Sequence, residues 1–341
     1  MKTRSILSLA SSALLLLSCM NPLQEDGCRV ELTIDLGTAT RASNYTTELP
    51  AESSVRSVAY YVFDSQGRLE ATASSSGLSA VTVSVRTGSK TVWAAVNIPA
   101  SRFSGVTTLQ DFESKEVSFR DFSADLFPMA GHKAVTIGTG GVSLSIPVER
   151  FVSRICVAEV RNRLAGSLAG KSMTVRSCYL TNVPANSRIT GAAPASQLWY
   201  NRFGRRDGGG EADIISSASD ASFPGFTFAG IGSTVQSGRS VTPLACLYFF
   251  PNPATSDATG WASTFTPRYT RIVTVIEIDG KTYYYPVSIT GNVRNHAYTL
   301  YLTVTHLGTH DPDNFEYDTT QDVTIDIGGF DDFGDDFEII Y

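Results

Sequence analysis

Short runs in which apolar and polar residues alternate recur along this sequence, separated by turn-forming residues. Residues 81–85 and 142–146 alternate with the period of two that places every second side chain on one face of a strand. The dipeptide Asp279-Gly280 stands between two apolar runs and is a strong signal for a two-residue hairpin. No long segment repeats apolar residues with helical spacing. The sequence therefore predicts an all-β fold, and its 341 residues suffice for two domains.

The order of these runs predicts two successive groups of strands. Asp64-Ser65-Gln66-Gly67 follows the first dense apolar run and predicts a turn. Residues 201–240 contain Gly208-Gly209-Gly210 and many serines, which predicts an exposed loop within the second group. The runs predicted to form strands are residues 58–63, 81–85, 90–97, 142–146, 152–160, 244–250, 271–278, 282–289 and 297–305.

The N-terminus has the pattern of a secretory signal peptide. Lys2 and Arg4 precede an apolar stretch, residues 6–17, that is too short to span a bilayer stably. The stretch ends in Leu16-Leu17-Ser18-Cys19, which looks like a bacterial lipobox. We expect residues 1–18 to be a signal peptide and the thiol of Cys19 to be acylated, so that several acyl chains hold the precursor on a membrane. The alternative is an ordinary signal peptide followed by an incidental cysteine.

The five cysteines form a poor disulfide framework. Cys19 and Cys28 lie in the N-terminal segment, and an odd number remains once that segment is set aside. Cys156 and Cys246 each lie inside an apolar run that is typical of a buried strand. We therefore expect Cys156 and Cys246 to be unreactive thiols in the core.

The sequence gives little support to catalytic or ligand-binding chemistry. The net charge of −6 gives no reason to expect nucleic acid as a partner. Residues 166–172 resemble a phosphate-binding loop, but Ala165 stands where its first glycine belongs and a strand-like run follows. His306 and His310 are four residues apart at the end of a predicted strand, where they do not stack as on a helix. We expect no catalytic residue, no cofactor and no metal site, and hence no enzyme.

Several short segments follow one another in an order that carries a family resemblance. They are the lipobox at Cys19, Thr40-Arg41-Ala42, Val62-Phe63-Asp64-Ser65-Gln66-Gly67, Phe127-Pro128-Met129-Ala130-Gly131, Asn182-Val183-Pro184, Tyr248-Phe249-Phe250-Pro251-Asn252, Tyr283-Tyr284-Tyr285-Pro286, Arg294-Asn295-His296-Ala297-Tyr298 and the run from Leu307 to Asp313. In this order they resemble the fimbrillins, the major and accessory subunits of type V pili. The resemblance implies two tandem transthyretin-like β-sandwich domains, residues 42–153 and 154–341.

The resemblance implies that residues 19–41 are a pro-segment with a removable first strand. Alternation of apolar and polar residues places Val30, Leu32, Ile34 and Leu36 on one face of that strand. In fimbrillins an arginine-directed protease cuts at a site like the bond between Arg41 and Ala42 and removes the strand. Its loss leaves a groove with unpaired backbone groups on both sides, which recruits another strand. The alternative is a plain loop that contains Arg41.

The C-terminus offers a candidate for the strand that fills such a groove. The last 31 residues contain eleven Asp or Glu and no Lys or Arg, yet two apolar runs lie among them. In fimbrillins, C-terminal strands can leave their own subunit and enter the groove of a neighbour. The alternative is that both runs pair within their own domain. One departure from many relatives is that no tryptophan stands near Phe330. The candidate donor residues are Val323, Ile325, Ile327, Phe337, Ile339 and Tyr341.

The resemblance implies a structural subunit of a cell-surface pilus that is exported as a lipoprotein and supports adhesion. Its expected partners are other pilus subunits, with a homo-polymer favoured, an arginine-specific protease during maturation, and the outer membrane through the lipid. A host protein or a glycan is a further candidate partner. Two alternatives stay open: the membrane-anchoring subunit of the same pilus, and a surface lipoprotein that binds a ligand without polymerising.

Overall fold

A computed structural model supplies the structure of the chain, and it is dominated by β-strands. Short helices cover Pro50–Ser53 and Leu109–Glu113, and 3₁₀ turns cover Ala100–Phe103, Phe119–Asp121 and Gly166–Leu168. No helix in the part of the chain that is described has the length and apolar character needed to cross a membrane. The structure describes residues 28–37, 50–122, 126–193, 199–201, 228–242, 245–256, 267–290, 294–312, 328–329 and 337–340.

The strands fall into two successive groups, as the sequence predicts. The first group is β1 (Arg29–Leu36), β2 (Ser57–Phe63), β3 (Leu69–Ser76), β4 (Val81–Arg86), β5 (Gly88–Val96), β6 (Glu116–Ser118), β7 (Met129–Ile137), β8 (Val142–Ile146) and β9 (Glu149–Arg150). The second group is β10 (Ser153–Asn162), β11 (Met173–Thr181), β12 (Val183–Pro184), β13 (Asn186–Arg188), β14 (Trp199–Tyr200), β15 (Phe228–Val235), β16 (Ser240–Val241), β17 (Ala245–Phe249), β18 (Thr270–Ile278), β19 (Lys281–Ile289), β20 (His296–Val304), β21 (Gly328–Gly329) and β22 (Phe337–Ile340).

The first group forms a sandwich of two sheets. One sheet has the order β4-β1-β8 and the other has the order β3-β2-β5-β7-β9. Apolar side chains from both sheets form one buried cluster, because alternate residues of each strand face the space between the sheets. The other face of the larger sheet is also buried, since Trp93 and Phe63 pack against Phe112 of the Leu109–Glu113 helix with ring centroids 5.3 and 5.7 Å apart. The larger sheet is therefore apolar on both faces.

The second group forms another sandwich. One sheet runs β16-β10-β20-β21, with β17 also paired to β10 and β22 also paired to β20, and the other runs β15-β11-β18-β19. The hairpin predicted at Asp279-Gly280 is confirmed, because both residues have positive φ (51° and 73°) and Ile278 pairs with Lys281 across the turn. The all-β prediction with two sandwiches is confirmed.

The prediction of a loop over residues 201–240 is wrong for its C-terminal part. Phe228–Val235 forms β15 and pairs antiparallel with β11, at the edge of its sheet. It contains small residues, among them Gly230 and Gly232, and therefore lacks the dense apolar run that predicts a strand. The small residues of this segment have little intrinsic preference for a strand, and the backbone hydrogen bonds with β11 stabilise it as one.

The prediction that Cys156 and Cys246 are separate core thiols is also wrong. They lie directly opposite each other on β10 and β17 and form a disulfide. The two cysteines are 90 residues apart in sequence, so only the pairing of the two strands brings them together. Cys178, for which the sequence analysis makes no separate prediction, is free and buried, and burial raises the pKa of its thiol to about 12.

The two groups of strands share a continuous aromatic core where they meet. Phe119 and Phe122 of the first group lie 4.4 and 5.5 Å from Phe250, measured between ring centroids, and Phe127 lies 4.7 Å from Tyr248. In addition, β6 of the first group pairs with β13 of the second. These contacts fix the two sandwiches against each other in the described residues.

Candidate functional site

The predicted removable strand is β1, and it lies in the middle of its sheet. β1 pairs antiparallel with β4 over residues 29–34 and parallel with β8 over residues 32–36. Its removal would therefore leave the facing backbone groups of two strands without partners, and unpaired strand edges of this kind recruit a new strand. β4 and β8 are the two walls of a groove that β1 fills.

The residues predicted for the inner face of β1 lie against the core. Leu32 and Ile34 have no exposed surface, and Val30 and Leu36 are partly buried against the same cluster. Full burial of an aliphatic side chain of this size is worth roughly 1.5–3 kcal/mol. Tyr60 of the opposite sheet belongs to this cluster, and burial, followed by the Asp35 carboxylate, raises its pKa to about 12, so its phenol stays neutral at physiological pH.

Contacts at both ends of β1 require close approach of the backbone. The amide of Gly37 donates to the carbonyl of Ile146 at 2.8 Å, and a β-carbon on Gly37 would lie 3.3 Å from the nitrogen of Pro147. Near the other end, Gly141 has a φ of 72°, and a β-carbon there would lie 2.8 Å from the carbonyl oxygen of Glu31. These two close approaches therefore restrict where a strand in the groove can begin and end.

The covalent position of β1 suits a strand that can be removed. It is joined to the other described strands through residues 38–49, which contain the predicted cleavage site at Arg41 and Ala42. Arg41, Ala42 and the predicted lipid-bearing Cys19 lie outside the described residues. A cut in this linker would leave β1 attached to the domain by non-covalent contacts alone.

A buried ionic cluster, which the sequence analysis missed, holds the chain just downstream of that linker. Glu52, in the Pro50–Ser53 helix, has no exposed surface, and both of its carboxylate oxygens lie 2.8 Å from Nη1 of Arg154 on β10. The hydroxyl of Tyr248 donates to the same carboxylate at 2.7 Å, and Nε of Arg150 donates to the Glu52 carbonyl at 2.7 Å. Burial, and after it the Glu52 carboxylate, raise the pKa of Tyr248 far above its ordinary value, so the hydroxyl remains a donor.

A second anchor follows within a few residues. Asn97 is buried in a left-handed conformation, with φ of 56°, at the end of β5. Its Nδ2 donates to the carbonyl of Ser54 at 2.7 Å, and its Oδ1 accepts from the amide of Arg56 at 2.9 Å. These hydrogen bonds and the ion pair hold residues 52–56 at the junction of the two sandwiches, and none of them involves β1.

The described parts of the C-terminal tail pair with β20 of their own chain. Gly328 and Gly329 form the short antiparallel β21, and Phe337–Ile340 forms β22, parallel to β20. The sequence left open whether the tail pairs within its own domain, and these described parts of the tail do so. The remaining donor candidates Val323, Ile325, Ile327 and Tyr341 lie outside the described residues.

The residues considered for metal or catalytic chemistry have other contacts. Nδ1 of His306 lies 3.0 Å from the hydroxyl of Thr305, and the ring of His310 lies 5.1 Å from that of Tyr283. Among the described residues, no group of three or more His, Cys, Asp or Glu side chains could hold a metal ion. The loop that resembles a phosphate-binding motif is a short 3₁₀ turn between strands of two different sheets, and the strand predicted after it is β11.

Residues 29–142 match the family model of the major fimbrial subunit protein FimA, which confirms the resemblance drawn from the sequence. The matched part covers β1 and the β4 wall of the groove, and it ends at the first residue of β8. No curated protein matches this sequence significantly.

Solved structures with a similar fold include candidate cell adhesion proteins and a fimbrilin from bacteria. A candidate cell adhesion protein from Bacteroides eggerthii is 17% identical, with 89% of this chain and 97% of that chain covered and a TM-score of 0.64. The fimbrilin FimA from Porphyromonas gingivalis is 16% identical, with 85% and 93% covered and a TM-score of 0.57. A candidate cell adhesion protein from Parabacteroides distasonis is also 16% identical, with 89% and 96% covered and a TM-score of 0.57. At these identities the likeness concerns the fold.

Proposed function

We propose that this chain, with its FimA-like N-terminal region and its fimbrilin fold, is a structural subunit of a type V pilus on the bacterial cell surface. It is exported as a lipoprotein anchored through Cys19 to the outer membrane, cut after Arg41, and polymerised by strand exchange with other subunits. The family match over residues 29–142 and the shared fold support the role of a structural, non-enzymatic pilus subunit.

One observation carries the strand-exchange part of the proposal: β1 is central in its sheet, yet it is the first strand of the described chain and has a single linker to the strands that follow. Its loss would expose the sites of Leu32 and Ile34 and two strand edges at once. A second subunit that inserts a strand recovers both the burial and the hydrogen bonds. The anchors at Glu52 and Asn97 keep the new N-terminal region in place during the exchange.

Replacement of Arg41 by Ala is expected to block maturation and to leave the protein monomeric, because β1 then stays in the groove. The measurement is the length of polymers from variant and wild-type cells on gels run without boiling, together with the N-terminal residue of the cell-associated protein. Arg41→Lys is the matched control, since it keeps the positive charge and should be cut by a protease that accepts lysine but not by an arginine-specific one.

Polymers of normal length from the Arg41→Ala strain would show that cleavage at this residue does not gate assembly. A wild-type protein that starts at an acylated Cys19 and forms no polymer would instead support the membrane-anchoring subunit or a non-polymerising, ligand-binding lipoprotein. A mature protein that starts at Ala42 supports the polymerising subunit.

Replacement of Cys19 by Ala is expected to abolish acylation, because the thiol is the acceptor, and to detach the precursor from the membrane. Incorporation of radiolabelled palmitate into immunoprecipitated protein measures the effect. Cys178→Ala, which changes a free buried cysteine far from the lipobox, serves as the matched control and should retain the label. Equal labelling of wild type and Cys19→Ala would contradict the predicted lipid anchor.

A further inference from the structure

The acidic tail contains a near copy of the strand that fills the groove. Residues 32–37 read Leu-Thr-Ile-Asp-Leu-Gly, and residues 323–328 read Val-Thr-Ile-Asp-Ile-Gly. Four of the six residues are identical, and the other two exchange one aliphatic side chain for another. The match is continuous and keeps the same chain direction.

The surroundings of β1 explain why the matched positions need the residues that the tail repeats. Leu32 and Ile34 have no exposed surface and need aliphatic side chains, which Val323 and Ile325 would supply. Thr33 is on the outer face, where its hydroxyl lies 3.2 Å from the hydroxyl of Thr82 on β4. A threonine in the same position, as in residues 323–328, preserves this cross-strand pair.

The final residue of the match is a glycine at a position where the groove is narrow. A β-carbon on Gly37 would lie 3.3 Å from both the nitrogen of Pro147 and the hydroxyl oxygen of Ser145. Gly328 follows Ile327 just as Gly37 follows Leu36. The tail therefore repeats both the side chains that the groove buries and the absence of a side chain where the strand leaves it.

The other candidate run fits the groove poorly. Aligned on the same sites, residues 337–341 would place Phe at the fully buried Leu32 site, Glu opposite Thr82 and a tyrosine at the Leu36 site. An aromatic ring in a packed aliphatic site forces rearrangement of its neighbours. In this structure, Phe337–Ile340 is paired with β20 instead.

We propose that residues 323–328 of one copy of this chain occupy the β1 groove of a second copy, with Val323 at the Leu32 site, Ile325 at the Ile34 site and Gly328 at the Gly37 site. The inserted strand runs antiparallel to β4 and parallel to β8, as β1 does. The inference rests on the proposed strand exchange and adds the identity of the donor run, its register and its direction. It requires that Gly328 and Gly329 leave their pairing with β20.

Because residues 323–328 repeat the sequence of β1, the groove prefers the tail of this same protein to other tails. The preference comes from the aliphatic size at the Leu32 and Ile34 sites, from the threonine pair and from the glycine at the exit. A tail that lacks these features leaves a cavity, a clash or an unmatched polar group in the groove. The partner selected by the groove is therefore a second copy of this chain.

Engineered disulfides test the register directly. The mature chain that starts at Ala42 is prepared by cleavage of the full precursor with an arginine-specific protease, with Thr82→Cys combined with Thr324→Cys. Oxidation is expected to convert most of the polymer into a covalent ladder on denaturing gels. The precursor with Thr33→Cys and Thr82→Cys is the positive control, since these residues already lie opposite each other in one chain.

The matched comparison pairs Thr82→Cys with Glu338→Cys, which would face each other if residues 337–341 entered the groove. Covalent ladders from this pair, or polymers that cross-link from neither pair, would overturn the proposed register while the strand exchange itself would stand. A wild-type mature chain that forms no polymer would overturn both. In the mature chain, the natural Cys156–Cys246 disulfide and the buried Cys178 do not compete for the new thiols.

Grafting the tail sequences onto β1 in the uncleaved chain tests the fit without any polymer. Leu32→Val with Leu36→Ile turns β1 into the sequence of residues 323–328 and should lower the midpoint of thermal unfolding by only about 2–4 °C. A second graft carries Leu32→Phe, Thr33→Glu, Asp35→Ile and Leu36→Tyr, which is the sequence of residues 337–341. It should lower the midpoint by about 10 °C or more. Equal midpoints for the two grafts would show that the groove does not select the first run.

Discussion

Replacement of Glu52 by Gln is expected to lower the free energy of unfolding by about 3–5 kcal/mol. The carboxylate is fully buried and neutralises Arg154, which is 1% exposed, so its loss leaves a positive charge in the junction between the sandwiches without that partner. The hydroxyl of Tyr248 loses a charged acceptor at the same time. Urea denaturation followed by tryptophan fluorescence measures the change.

An exposed ion pair provides the control for Glu52. Glu277 pairs with Arg176 at 2.6 Å on the surface of the second sandwich, where the two side chains are 30% and 51% exposed. Glu277→Gln should therefore cost less than about 1 kcal/mol, because solvent screens the pair. Similar denaturation midpoints for Glu52→Gln and the wild type would show that the junction does not depend on this cluster.

Removal of the disulfide is expected to lower the free energy of unfolding by an amount similar to that for Glu52→Gln. Replacing both Cys156 and Cys246 by Ala should lower the free energy of unfolding by about 4 kcal/mol, because the bond closes a loop of 90 residues in the unfolded chain. The bond also joins β10 to β17 in the sheet that carries β20, the strand paired with the tail. Thermal unfolding of the two-alanine variant and of reduced wild type measures the loss.

The remaining described thiol provides the control for the disulfide. Cys178→Ala removes a small buried side chain and should cost about 1 kcal/mol. Since burial raises the pKa of Cys178 to about 12, this thiol in the native protein should react with maleimide at pH 8 far more slowly than a free exposed cysteine does. If reduction leaves the unfolding midpoint unchanged, the proposed contribution of the disulfide is wrong.

Local patterns were sufficient to predict elements whose determinants lie close together in the sequence. The Asp279-Gly280 hairpin was found because the two turn residues adopt positive φ and the flanking runs are apolar. β1 and β8 were found because their alternation matches a strand with one buried face. β15 was missed because its residues are small, and its pairing with β11 rather than its composition makes it a strand.

The sequence by itself determined which residues of β1 face inward, since alternation along a strand is a property of the backbone. It also contained the copy of β1 in the tail, because a strand is specified by a short continuous run of side chains. The Cys156–Cys246 bond and the contacts of Glu52 with Arg154 and Tyr248 were decided by the tertiary structure alone. Each joins residues about 90 or more positions apart, and no local pattern encodes which distant strands the packing of two sandwiches brings together.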